Sequence, residues 1–176
     1  MIRNALALAA LACMGMLSVG CSCNPTKLNV TVSLDDAMRK KLEDRKIEVD
    51  IVAIDTKLAQ ARWETYSMTQ YWNPGDERRE SVDSYKMIFD PSKPDAQTLS
   101  KTDAHWDKWF SKSGGGDMQL YVLALLPGIY EDLPGDKDPR RQILPLGSCR
   151  WSSTDVKMLV QKDGIITLTP PKPEKK

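Results

Sequence analysis

Residues 118–126, MQLYVLALL, are apolar on both sides of an extended chain: Leu120, Val122, Ala124 and Leu126 fall on one side, Tyr121, Leu123 and Leu125 on the other. Side chains alternate across a strand, so this run must be covered from both sides and belongs in the middle of a fold. Pro127-Gly128 stops it well short of the ~20 apolar residues that a membrane-spanning helix needs. The other strand-like stretches alternate. Leu28, Val30, Val32 and Leu34 share one face of 28–34, and Ile47, Val49, Ile51 and Ala53 one face of 47–54, with Val52 and Ile54 adding burial on the other. Tyr85, Met87 and Phe89 do the same over 84–89. Residues 140–146 and 149–151 read as one interrupted edge strand, bent at Pro145 and Gly147. Val156, Met158 and Val160, then Lys162-Asp163-Gly164 and the return over 165–168, predict a closing hairpin with an Asp-Gly turn. About seven strands with turn signals between them predict a mainly β chain, an antiparallel two-sheet β-sandwich with one or two short helices inserted between strands.

The segments between strands divide by composition. Residues 35–46, DDAMRKKLEDRK, place acids first, cations later, and Met38 and Leu42 four apart, which suits a short solvated helix laid on a sheet. A helical or irregular stretch follows from 55 and ends at the turn Asn73-Pro74-Gly75-Asp76. Its Trp63, Tyr71 and Trp72 either form an aromatic surface for a ligand or partner or pack over the open face of a sheet. Residues 77–80 read as solvated charge. Residues 95–110 look helical, with Thr102 or Asp103 as a cap for the turn that carries Trp106, Trp109 and Phe110.

Catalytic chemistry finds little to work with. The single histidine, His105, has no second histidine or free cysteine nearby to complete a metal site. No Gly-x-Ser-x-Gly or Cys-His arrangement supplies an activated nucleophile. The glycine run at 114–116 lacks the Lys-Ser/Thr of a phosphate loop, and Glu131, Asp132, Asp136 and Asp138 lack the EF-hand spacing. No catalytic residue, metal or cofactor is expected.

The first twenty residues carry one cation, Arg3, then an uncharged apolar run from Ala5 to Val19, the pattern of a secretory signal peptide. The following Leu17-Ser18-Val19-Gly20-Cys21 resembles the lipobox of bacterial lipoproteins, which implies cleavage before Cys21 and acylation of that residue. The chain then divides into a signal peptide (1–20), an acylated cysteine with a short tether (21–26), a sandwich domain (27–169) and a disordered tail (170–176). Of the 25 cations only Arg3 lies in the signal segment, so the remaining 156 residues carry 24 cations against 24 anions. Neutrality without a basic block argues against nucleic acid. With Cys13 removed and Cys21 acylated, Cys23 and Cys149 are left either as a disulfide in an oxidising compartment or as two unrelated thiols.

Acylated Cys21, the short tether, strands at 28–34 and 47–54, the apolar strand at 120–126 and the hairpin over 156–168 together resemble the outer-membrane lipoprotein of the bacterial type VI secretion system, a two-sheet sandwich similar to transthyretin. The resemblance implies a structural, non-enzymatic protein on the outer membrane, facing the periplasm. It implies docking of an inner-membrane partner's periplasmic domain through the loop between the first two strands, here Asp35, Asp36, Arg39, Lys40, Lys41 and Arg45. Ser22 in place of an aspartate after the acylated cysteine accords with outer-membrane sorting. The alternative is a periplasmic lipoprotein that holds a ligand or peptidoglycan on Trp63, Tyr71 and Trp72.

Overall fold

Strict alternation in β1 (Asn29–Leu34) buries Val30, Val32 and Leu34 and turns Asn29, Thr31 and Ser33 outward. β2 (Ile47–Ile54) and β5 (Gln119–Ala124) are instead buried on nearly every residue. The computed structural model describes residues 23–42, 45–113 and 117–173. With β3 (Ser84–Phe89), β4 (Ala96–Leu99), β6 (Arg141–Pro145), β7 (Asp155–Gln161) and β8 (Gly164–Thr167), the strands form two four-stranded sheets ordered β4-β1-β7-β8 and β3-β2-β5-β6. The main core lies between them, from Leu28, Val32 and Leu34 to Ile51, Phe89, Val122 and Met158. This is the expected sandwich, with β5 inside its sheet and β6 at the edge.

Several details depart from the sequence reading. β1 and β7 pair in parallel. The reason is directional: β6 ends beside the start of β5, a 3-10 turn (Ser148–Arg150) carries the chain across to the other sheet, and β7 starts level with Asn29 and runs the same way as β1. Residues 149–151 are thus a crossover rather than strand. β4 falls in the segment read as helix; only Leu99 of its four residues is buried, so it shows no alternation. The tail, read as disordered, folds back at Lys172, whose N–H donates to the Arg150 carbonyl (2.7 Å) while Arg150 Nε donates to the Lys172 carbonyl (2.8 Å).

Five helices, rather than one or two, occur among the described residues: α1 (Asp36–Lys41), α2 (Lys57–Glu64), α3 (Met68–Tyr71), α4 (Glu77–Ser81) and α5 (Ala104–Lys112). Each starts at a side-chain N-cap, in order Asp35, Thr56, Ser67, Asp76 and Asp103, whose oxygen accepts a backbone N–H of the first turn. α5 sends Trp106 and Trp109 into the main core and satisfies their indole N–H groups on the carbonyls of Ser100 and Asp83 (both 2.9 Å). α2, α3 and α4 lie over the outer face of β2 and β5. There Val52, Ile54, Trp63, Met68, Tyr71, Tyr121 and Leu123 make a second core.

At the N-terminus Cys23 and Cys149 form a disulfide, Cα atoms 5.6 Å apart. Ser148 N–H donates to Asn24 O (2.9 Å) and Thr26 N–H to Leu146 O (2.8 Å). The chain is therefore fastened to one end of the sandwich before β1 begins.

The β7–β8 loop is Lys162-Asp163, and Gly164 already opens β8 opposite Gln161, so the turn is not centred on Asp-Gly. Gly164 is needed for a different reason. Its φ of +151° is outside the range of L side chains, and a Cβ there would lie 3.0 Å from the Pro139 carbonyl oxygen, which accepts the N–H of Ile165 at 2.8 Å. Gly164→Ala should therefore cost roughly 1–3 kcal/mol, and Asp163→Ala, in the exposed loop, within about 0.5 kcal/mol of nothing. Urea unfolding of the two variants checks the difference.

Candidate functional site

β1 runs away from the disulfide end and delivers α1 to the opposite end of the sandwich. Asp35 Oδ1 accepts the Met38 N–H (2.7 Å), and the Asp35 N–H donates to Val160 O (3.0 Å), which hangs the helix on the end of β7. Met38 and Leu42 are buried beneath it. Of the predicted docking residues, Asp35 is the cap. Arg39 is held internally, donating from Nε to Leu34 O (3.3 Å) and pairing with Asp95 (3.3 Å) and Asp36 (3.7 Å). Lys40 and Arg45 are exposed and Lys41 is half-buried. Lys41, Arg45 and Lys46 line a recess of about 240 Å³ whose other wall is Leu125, Leu126 and Pro127. Beside that wall Ile129 is fully exposed. Tyr130 turns inward instead, its hydroxyl donating to Lys162 O (2.7 Å). The structure thus adds residues 125–129, at the start of the loop after β5, to the loop between β1 and β2. Cys21 lies outside the described residues.

The aromatic residues do not form an open surface. Tyr71 and Trp63 are buried, and Trp63 packs on Tyr71 and Tyr121 with ring centroids 5.9 and 5.8 Å away. The Tyr71 hydroxyl donates to Asp50 Oδ2 (2.9 Å), in the middle of β2; burial first, and then the Asp50 charge, push its ionisation far above the usual phenol range. Arg79 joins the same carboxylate through Nε (2.9 Å), reaches Glu48 through Nη2 (2.6 Å) and lies 4.3 Å from the centre of the half-buried Trp72 ring. Within the stretch read as solvated charge, Arg79 is therefore turned inward by an acid 29 residues away. Asp50 Oδ1 and Trp72 Nε1 are buried without a hydrogen-bond partner among the described residues. A wider recess of about 480 Å³ lies beside Tyr66, Gln70 and Pro74. The Arg78 guanidinium lies over one face of the Tyr66 ring (3.7 Å), and the Tyr66 hydroxyl donates to Asp76 (2.6 Å).

Asp132 and Asp138, two of the acids of 131–139, are hydrogen-bonded within the protein. Asp138 is fully buried and accepts from Arg140 N, Nε and Nη2 (3.0, 2.9 and 2.8 Å). Asp132 accepts from Ser67 Oγ, Thr69 N–H and Arg140 Nη2 (2.6, 2.9 and 2.6 Å), which ties α3 to the loop. Arg141, also buried, donates to the carbonyls of Trp63, Tyr66, Leu133 and Gly135. His105 Nδ1 sits 2.8 Å from its cap Asp103, and its ring meets Tyr85 edge-on. Among the described residues no three His, Cys, Asp or Glu side chains gather where they could hold a metal.

No family model matches the chain, and no curated protein matches it by sequence. The structure resembles those of type VI secretion lipoproteins. Lip of Serratia marcescens, described as a membrane-bound component of the Type VI Secretion System, is similar over 80% of this chain and 96% of its own, at 10% identity and a TM-score of 0.47. The T6SS lipoprotein TssJ1 of Pseudomonas aeruginosa is similar over 85% and 99%, at 12% identity and a TM-score of 0.42.

Burial alone would raise the Asp132 carboxyl, but the donors Ser67, Thr69 and Arg140 outweigh it and hold it at about 2. A carboxyl lowered from its ordinary ~4 stabilises the fold above that pH, and the contribution fades as pH falls toward the folded value. Asp132→Asn should lower the melting temperature at neutral pH and flatten its decline between about pH 4 and 2. Thermal melts at stepped pH read both effects.

Proposed function

We propose that this chain is a lipid-anchored, non-enzymatic component of a bacterial envelope complex, that of type VI secretion, held on the periplasmic side of the outer membrane by an acylated Cys21. Its far end docks the periplasmic domain of an inner-membrane partner. The observation that carries the reading is the separation of the two ends. The disulfide-fastened tether enters at one end, and the six residues of β1 set α1 about 20 Å away at the other. A surface meant to reach across the periplasm has to face away from its own membrane. The basic recess and exposed Ile129 do so, and combine cations for an acidic partner with an apolar anchor of the kind that interfaces bury at their centre.

The assignment to type VI secretion follows the sequence resemblance: lipobox, short tether and strand layout. The ligand-binding alternative has less support: Trp63 and Tyr71 are interior side chains, and the Arg79 guanidinium lies over the half-buried Trp72 ring.

Replacing Lys40, Lys41 and Arg45 with Glu should lower recovery of the partner's periplasmic domain in a pull-down about tenfold, and Ile129→Asp should act in the same direction. Neither change touches the core, so both variants should keep the wild-type melting temperature. Full recovery by both folded variants would refute the docking surface.

A further inference from the structure

Cys23 lies two residues after Cys21 and is bonded to Cys149 at the end of the sandwich where β6 finishes and β7 starts. Two residues span at most about 7 Å. A lipid on Cys21 therefore holds the surroundings of Cys23 at the level of the lipid headgroups. Those surroundings are a recess of about 270 Å³ whose walls include Cys23, Pro25, Lys57, Gln60, Asp117 and Arg150.

Lys57 comes to this end because α2 is pinned there. The Gln60 side-chain amide donates to Ile54 O (3.2 Å) and Asp117 O (2.5 Å), which fixes the first turn of the helix to the exit of β2 and the approach to β5. Next to Lys57, Leu58 is 66% exposed. Arg62 lies one turn on, on the same helix face, and lines a shallow recess with Leu58. Lys172 arrives by its paired hydrogen bonds with Arg150. The exposed acid among them is Asp117.

We infer that this end of the sandwich is a membrane-contact surface, in which Leu58 enters the interface and Lys57, Arg62, Arg150 and Lys172 face anionic phospholipid headgroups. The inference rests on acylation of Cys21, as proposed above. Its chemistry is that of peripheral membrane contact: an apolar side chain ringed by cations, with charge complementary to an anionic leaflet. Lys57 and Arg62 share α2, and the fold brings Arg150 to the same recess as Lys57. The surface makes the anchor directional, since the disulfide keeps it turned toward the bilayer and the docking end turned away.

The test reconstitutes the mature acylated chain in phosphatidylcholine vesicles with or without phosphatidylglycerol. One fluorophore is placed at Ala61→Cys, on exposed α2, and in a second sample at Ile129→Cys; both are quenched with a headgroup nitroxide lipid. The position-61 label should be quenched strongly and the position-129 label hardly at all. Phosphatidylglycerol should strengthen quenching at 61, and each of Lys57→Glu and Arg62→Glu should lower the headgroup-contact equilibrium about fivefold. Replacing Cys23 and Cys149 together with Ser should reduce the contrast between the two labels. Equal quenching at 61 and 129, or quenching at 61 indifferent to phosphatidylglycerol and to both charge reversals, overturns the surface while leaving the anchor intact. Mass spectrometry of the N-terminus separates the other failure: an unacylated Cys21 overturns both the anchor and the surface that depends on it.

Discussion

Leu120, Val122 and Ala124 on one side of β5, and Tyr121 and Leu123 on the other, are all removed from solvent, and two sheets facing each other can cover only the first set. Burying a large apolar side chain contributes about 1.5–3 kcal/mol, so leaving the second set open would forfeit several such terms. The short helices over the outer face follow from this. None has the length to be stable alone; each is held by its cap and by what it covers. Arg141 completes the layer from β6, donating to the carbonyls of Trp63 and Tyr66 at and just after the end of α2, groups that a helix terminus leaves unpaired. The Asp50–Arg79–Tyr71 and Asp132–Asp138–Arg140 clusters lock α3 and α4 to β2 and to the loop before β6. Buried ion pairs contribute little net stability, so these clusters matter chiefly because removing one partner strands a charge, which fixes where each helix must lie.

Alternation made β1, β2, β3 and the β7–β8 hairpin legible in the sequence, because one buried face imposes a period of two, while β5 stood out as a short run apolar on both sides. Where that constraint weakens, so does the signal. β4 is an edge strand with one buried residue, and the parallel pairing of β1 with β7 depends on a crossover that no local pattern encodes. Arg79, in the run Glu-Arg-Arg-Glu, looks like any solvated cation. The available sign was Asp50, a single acid inside the otherwise apolar centre of Ile47–Ile54, which called for a buried partner without naming it. The aromatic stretch posed the same problem in reverse: its composition fits a binding surface or a core lid, and only the double burial of β5 decides for the lid.

The candidate docking end was half legible. Residues 35–46 announced themselves by charge, yet that charge does not say which cations stay available; Arg39 is drawn off by Asp95 and the Leu34 carbonyl, while Lys41 and Arg45 face a groove. Ile129 gave no signal, since a lone exposed isoleucine in a loop is ordinary until its neighbours are known.

What makes the two ends of the sandwich different from each other is the Cys23–Cys149 bond. Without it, the residues before β1 would be held by a few backbone hydrogen bonds to the segment after β6, and under the proposed anchoring a tether that peels away would let the domain tumble over its anchor. With it, and with the proposed acylation of Cys21, the covalent path from bilayer to sandwich would be reduced to the residues between Cys21 and Cys23, too few to let the domain turn over. Such a bond forms in an oxidising compartment and not in the cytosol. On the proposed reading, export would therefore do more than deliver the protein: it would close the bond that sets which end faces the membrane and which end is free to meet a partner.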